Sequence, residues 1–182
     1  MFLSFQDCIE KYGTAYRVSR AVADGGLHKM EAGVYSDTGA EDELDIIQFK
    51  YPKAILTLES AYFYYDMTDS IPDCYHMATG MHAAKITDDR VRQYFIAEEI
   101  LNVGMVEIEH AGSRIRTYDL ERLMIETVRM KRKLPSDIYK EIVIAFRSKV
   151  DSLYPAKIGE YLSQYPFPKK AMIERMIYEE IF

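Results

Sequence analysis

At 182 residues, 48% of them apolar, the chain can build one sizeable core, or a small domain joined to a medium one, and disorder is excluded. No apolar run is long enough for a bilayer, so no membrane partner is expected. A formal charge of −6 gives no global attraction to nucleic acid, so any contact with a polyanion has to come from a local basic patch.

From the amino end, Phe2, Phe5, Cys8 and Ile9 recur at helical spacing through Tyr12, and Gly13 breaks the pattern. This start lacks a basic leader and acquires Asp7 and Glu10 early, unlike a signal peptide. Cys8 and Cys74 have no neighbouring ligand pair, which predicts two reduced, inert thiols and a cytoplasmic setting.

Thr14 is a competent N-cap for a second helix that turns Ala15, Val18, Ala21 and Val22 to one side. Tyr16, Arg17, Ser19 and Arg20 point elsewhere, and Gly25-Gly26 stop the helix. Leu27 to Tyr35 then reads as two short strands around a bend at Ala32-Gly33. A short cationic helix followed by a small hairpin is the plan of a winged helix-turn-helix, in which the helix enters a DNA major groove and the wing touches phosphate. The same pattern also begins many ordinary α+β domains. Between Lys11 and Met30 the cations Lys11, Arg17, Arg20 and Lys29 oppose only Asp24. The candidate DNA contacts are therefore Thr14, Tyr16, Arg17, Ser19, Arg20 and Lys29. So small a patch would bind modestly unless two copies pair, which makes a homodimer one expected arrangement. The helix that normally precedes such a module is missing, so the module reads as abbreviated, with its support supplied by the second domain or another subunit.

Ser36 to Ala40 is the expected boundary, giving a winged-helix module over 1–38 and a larger mixed α/β domain over 39–182. There Glu41 to Tyr51 predicts a helix, Ala54 to Leu56 a short buried strand, and Thr57 the cap of a helix running to Met67. Cys74 to Ala78 and Val91 to Ile96 have strand composition around a polar connection. Met105 to Glu109 and Arg114 to Tyr118 alternate about a turn at Ala111-Gly112-Ser113. Asp119 and Ser136 open amphipathic helices, and Pro155 and Pro168 introduce two more. The fold class expected is α+β, ending in helices.

Gly25-Gly26-Leu27-His28-Lys29-Met30-Glu31-Ala32-Gly33-Val34-Tyr35 resembles the G-x-L-x-K-x-x-x-G-x-Y wing of the AbiEi family of antitoxins and transcriptional regulators. Tyr51-Pro52-Lys53-Ala54-Ile55, Glu59-Ser60-Ala61 and Met67-Thr68-Asp69-Ser70-Ile71-Pro72 are similar to the family's next block. Ile115 to Leu123 resembles its Tyr-x-x-Glu-Arg-Thr segment, with Leu123 in place of Thr, Glu126 where an Asp usually stands, and Tyr65-Asp66 replacing a His-Gly upstream. The resemblance implies an operator-binding repressor of its own operon, opposing a nucleotidyltransferase-like toxin through its second domain.

Other chemistry finds little support. His76, His82 and His110 lie on different elements with no convergent spacing, so neither a metal nor a cofactor is expected. Cys74 and His76 share a strand face as packing neighbours rather than as a dyad, and no phosphate-cradling loop is present. No constellation points to an enzyme. Arg114, Arg116, Arg122, Arg129, Lys131, Arg132 and Lys133 form a second cationic zone, read first as solvated helix-end charge and second as an extension of a DNA footprint. The rival from another class is a protein-interaction module whose winged helix has lapsed.

Overall fold

The computed structural model describes residues 1–166, 168 and 170–182. Among these it is an α+β protein with nine α-helices and two sheets. It divides into two compact units, one of residues 1–52 with the tip 111–113, the other of residues 53–110 and 114–182. The first unit thus runs past the boundary read at Ser36 to Ala40 and takes in the helix that follows.

In the first unit Phe2–Ser4 is a strand (β1), where helical periodicity had predicted the start of a helix. Ser4 explains the difference. It is the N-cap of α1 (Phe5–Tyr12), closing a capping box in which Asp7 N donates to Ser4 Oγ at 3.1 Å and Ser4 N donates to Asp7 Oδ2 at 2.7 Å. Gly13, at φ 89°, makes the tight turn into α2 (Ala15–Ala23). The strands β2 (His28–Glu31) and β3 (Val34–Ser36) form the expected hairpin, with Gly33 at φ 80° in its bend. The sheet order is β1-β3-β2, both pairs antiparallel, so β3 is central and β1 lies beside it with Leu3 opposite Tyr35. Cys8, Val18, Leu27 and Tyr35 form the small core beneath the two helices. Helix α3 (Glu43–Lys50) belongs to this unit: Phe49 stacks on Phe2 with ring centroids 5.2 Å apart, and Lys50 pairs with Glu31 at 3.3 Å.

The second unit is a five-stranded mixed sheet in the order β6-β5-β4-β8-β7. Its strands are β4 (Ile55–Leu56), β5 (Tyr75–Gly80), β6 (Val91–Ile96), β7 (Met105–His110) and β8 (Ser113–Tyr118). The two-residue β4 holds the middle, antiparallel to β5 and parallel to β8. β5 and β6 are parallel, which normally calls for a helical crossover. Here the connection carries no helix and is fixed by Gln93, whose amide accepts from Ile86 N at 2.8 Å and donates to Ala84 O at 3.1 Å and Thr79 Oγ1 at 2.8 Å. Helix α4 (Leu58–Tyr64) ends before Met67, and Thr57 holds its N-cap position without making the expected capping bond. After the short α5 (Glu98–Leu101) come α6 (Leu120–Met130), α7 (Ser136–Ser148), α8 (Pro155–Gln164) and α9 (Lys170–Glu180).

Helix α6 is the centre of this unit, with every residue from Glu121 to Val128 buried. Arg122, placed by its sequence neighbours in a solvated cationic zone, is instead fully buried. Its Nε donates to Glu126 Oε1 at 3.0 Å, and its Nη1 donates to the carbonyls of Ile100 at 2.8 Å and Val103 at 3.1 Å. Tyr118 and Tyr165 lie 4.7 and 4.9 Å from its guanidinium carbon. Glu121 and Asp119 are likewise committed, Glu121 Oε1 to Tyr154 N at 2.7 Å and Asp119 Oδ2 to Tyr161 Oη at 2.7 Å. Asp119, Glu121 and Arg122 of the Ile115–Leu123 segment therefore hold helices together, while Arg116 lies on β8 and pairs with Glu107.

Gly104 shows how tightly. At φ 71° it turns the chain into β7, and an added Cβ would stand 2.7 Å from Arg122 Cβ and 3.1 Å from Asp119 Oδ1. Gly104→Ala is expected to cost about 2–3 kcal/mol from left-handed strain and overpacking. Urea unfolding would show this as a lower midpoint at unchanged slope, and an unchanged midpoint would refute it.

Candidate nucleic-acid interface

The pair α1 and α2, joined through Gly13, fixes where the predicted contact residues stand. Thr14 Oγ1 accepts from Arg17 N at 3.3 Å, so its hydroxyl is engaged in starting the helix. Val18 is buried, only 2% exposed, and locks the inner side of α2 onto Cys8 and Leu27. With that side fixed, Tyr16, Arg17, Ser19 and Arg20 are all exposed, Tyr16 at 73%. Arg17 and Arg20 lie one turn apart, as do Tyr16 and Ser19. Lys29 is exposed on β2, opposite Tyr35 in the pairing register.

The charges of this surface are available. Among the described residues Arg17 and Lys29 enter no ion pair. Arg20 Nε lies 3.6 Å from Asp24 Oδ2, but both side chains are more than two-thirds exposed, and such a pair holds the arginine only weakly. The acidic run beyond Ala40 is partly spent on its own loop. Glu41 accepts from the hydroxyls of Ser36 and of Thr38, the latter at 2.8 Å, and these bonds hold its carboxyl down at about 2 against the cost of desolvation. The predicted residues of α2 thus share one outer face, with Lys29 on a separate strand.

The second cationic zone is dispersed. Arg116 reaches Glu107 at 3.9 Å, Arg129 reaches Glu126 at 3.6 Å, and Lys131 bonds Glu180 at 2.7 Å.

The second unit holds a polar cluster that spacing alone did not reveal. His76 is 1% exposed, its Nδ1 lies 3.2 Å from Tyr94 Oη, and its Nε2 lies 3.8 Å from Glu59 Oε2. Its partners come from α4 and β6, so only the sheet order brings them together. Burial, reinforced by the nearby Arg92 charge, pushes the imidazole down to about 4, while burial raises the Glu59 carboxyl. Because His76 titrates lower when folded, the unfolded chain takes up the proton first. Its contribution is whole above pH 6.5 and is lost as pH falls toward 4, about 3 kcal/mol in all. Glu59 acts in the opposite sense, since protonation favours its folded form. His76→Gln should flatten this part of a denaturant-midpoint-against-pH curve, and an identical slope in the variant would contradict the assignment.

Groups of three or more His, Cys, Asp or Glu able to hold a metal do not occur among the described residues. No described helix is long and apolar enough to cross a membrane. Compared with protein-family models and with curated proteins, the chain matches none.

Proposed function

We propose that this chain is a DNA-binding transcriptional regulator of the AbiEi type, an autorepressor of its own operon with an antitoxin role against a nucleotidyltransferase-like toxin. The observation that carries the DNA-binding half is the run β1-α1-α2-β2-β3, with β1 returning to pair with β3. A helix-turn-helix enclosed in a three-stranded sheet is the framework of a winged helix, with α2 as recognition helix and the β2-β3 hairpin as wing. In this reading Arg17 and Arg20 reach base edges or phosphates, Tyr16 and Ser19 hold the backbone, Thr14 caps the helix beside it, and Lys29 neutralises phosphate from the wing. A second copy would double the small cationic face and match a two-fold operator.

The antitoxin half rests on the ordered motif blocks between Gly25 and Glu126. In the second unit Glu121, Arg122 and Glu126 of the last block are buried, so a surface that opposes a toxin would use other residues.

Titration of the chain with the duplex upstream of its own gene tests the regulator. Saturable binding whose logarithmic affinity falls linearly with log salt is expected, and affinity indifferent to salt or to DNA sequence would remove the reading. Co-expression with a nucleotidyltransferase-like protein encoded beside the gene tests the antitoxin role, and failure to restore growth would refute it. A chain that binds no DNA but forms a stable protein complex would be the lapsed, docking form of the module.

A further inference from the structure

The second unit contains a cleft of about 750 Å³ between the edge strand β6, the start of α4 and the end of α6. That volume lies in the range of small-molecule sites. Three features distinguish it from an accidental groove. Thr57, 3% exposed, lines it, and its hydroxyl makes no capping bond and has no hydrogen-bond partner among the described residues. Leu58, next along, sits at φ 47°, a left-handed conformation that costs a leucine free energy and that concentrates at ligand-holding positions. The cleft is also lined by charges of both signs, Arg92, Arg129 and Lys133 together with Glu59 and Asp73.

We propose that this cleft binds a nucleoside phosphate. Arg92, which has no carboxylate within ion-pair distance among the described residues, can fork onto phosphate oxygens together with Arg129 and Lys133. Arg129 also retains Glu126 at 3.6 Å, which fixes its position. The carboxylates argue against a purely acidic occupant, because they need donors, and the hydroxyls of a sugar or the amino group of a base supply them. Thr57 Oγ1 is a further acceptor among the lining residues. Leu58, Ile96, Met130 and Leu134 give the cleft an apolar wall against which a flat base can lie. Inorganic phosphate alone would leave that wall and the acceptors unused.

Calorimetric titration of the full chain with the common nucleoside mono- and triphosphates tests this, with the parent nucleosides and inorganic phosphate as separate arms. At least one nucleotide should saturate, with its nucleoside and inorganic phosphate each binding more than tenfold weaker. Arg92→Ala and Glu59→Gln should each weaken binding about tenfold or more. Arg17→Ala should leave binding unchanged, which separates this site from the DNA interface. Arg92 is exposed, so its variant should melt like the parent, and if it does not, the exposed Lys133→Ala carries the same comparison. No saturation at millimolar nucleotide, or affinity untouched by these substitutions, would overturn the proposal. So would an Arg92-dependent affinity found only for 5′-phosphorylated single-stranded RNA, since that would make the site a nucleic-acid contact.

Discussion

Arg17→Ala combined with Arg20→Ala should reduce affinity for the upstream duplex by roughly 30-fold or more while leaving the fold intact. The magnitude follows from two arginine contacts at about 1–3 kcal/mol each. Both side chains are exposed, the inner side of α2 is fixed by Val18, and among the described residues the ion pair at stake is the loose one to Asp24, so stability should change by less than about 0.5 kcal/mol. Lys29→Ala should act differently. As a phosphate contact it would weaken all duplexes alike and lower the salt slope by about one. The pattern is therefore more informative than any one affinity. If the double variant lowers specific and random duplex binding equally, α2 touches only backbone. If it lowers neither, the helix is not at the interface and the docking form of the module remains.

Arg122→Ala is expected to have the largest effect on stability, about 3–5 kcal/mol, enough to threaten folding. Arg122 is fully buried, and its removal strands the Glu126 carboxylate, the carbonyls of Ile100 and Val103, and the facing rings of Tyr118 and Tyr165. Glu126 would keep Tyr165 Oη at 2.7 Å and the looser Arg129 contact, too little for a buried charge. Paired replacement separates charge from shape. Arg122→Met with Glu126→Leu removes both ions and keeps much of the volume, so it should recover most of the loss seen in Arg122→Ala. Equal damage in the two variants, measured by urea unfolding, would mean that the aromatic packing matters more than the ion pair.

How much of this was legible in the sequence depends on the range of the interaction that decides each feature. The turn at Gly13, the hairpin at Gly33 and the cap at Asp119 are local, and their chemistry appears in the residues themselves. The strand at Phe2–Ser4 was misread because Phe2, Phe5 and Ile9 mimic a helical repeat. The capping box from Ser4 to Asp7 was the local signal that a helix starts later. Arg122 lies among other cations in the sequence, and what encloses it, the carbonyls of Ile100 and Val103 and the rings of Tyr118 and Tyr165, comes mostly from other elements. The cluster of Glu59, His76 and Tyr94 was invisible for the same reason: β6 lies beside β5 in parallel, a pairing that spacing does not encode. The exposed face of α2 was the most readable part, since a helical period and one buried valine determine it.

The Gln93 amide that holds the β5–β6 connection carries a consequence for how the second unit assembles. A parallel pair whose strands are so close in sequence has a small loop to close, and one side chain bridges loop and strand through three hydrogen bonds. This corner can therefore form early, ahead of the distant partnership of β4 with β8, and act as the seed on which the rest of the sheet is laid.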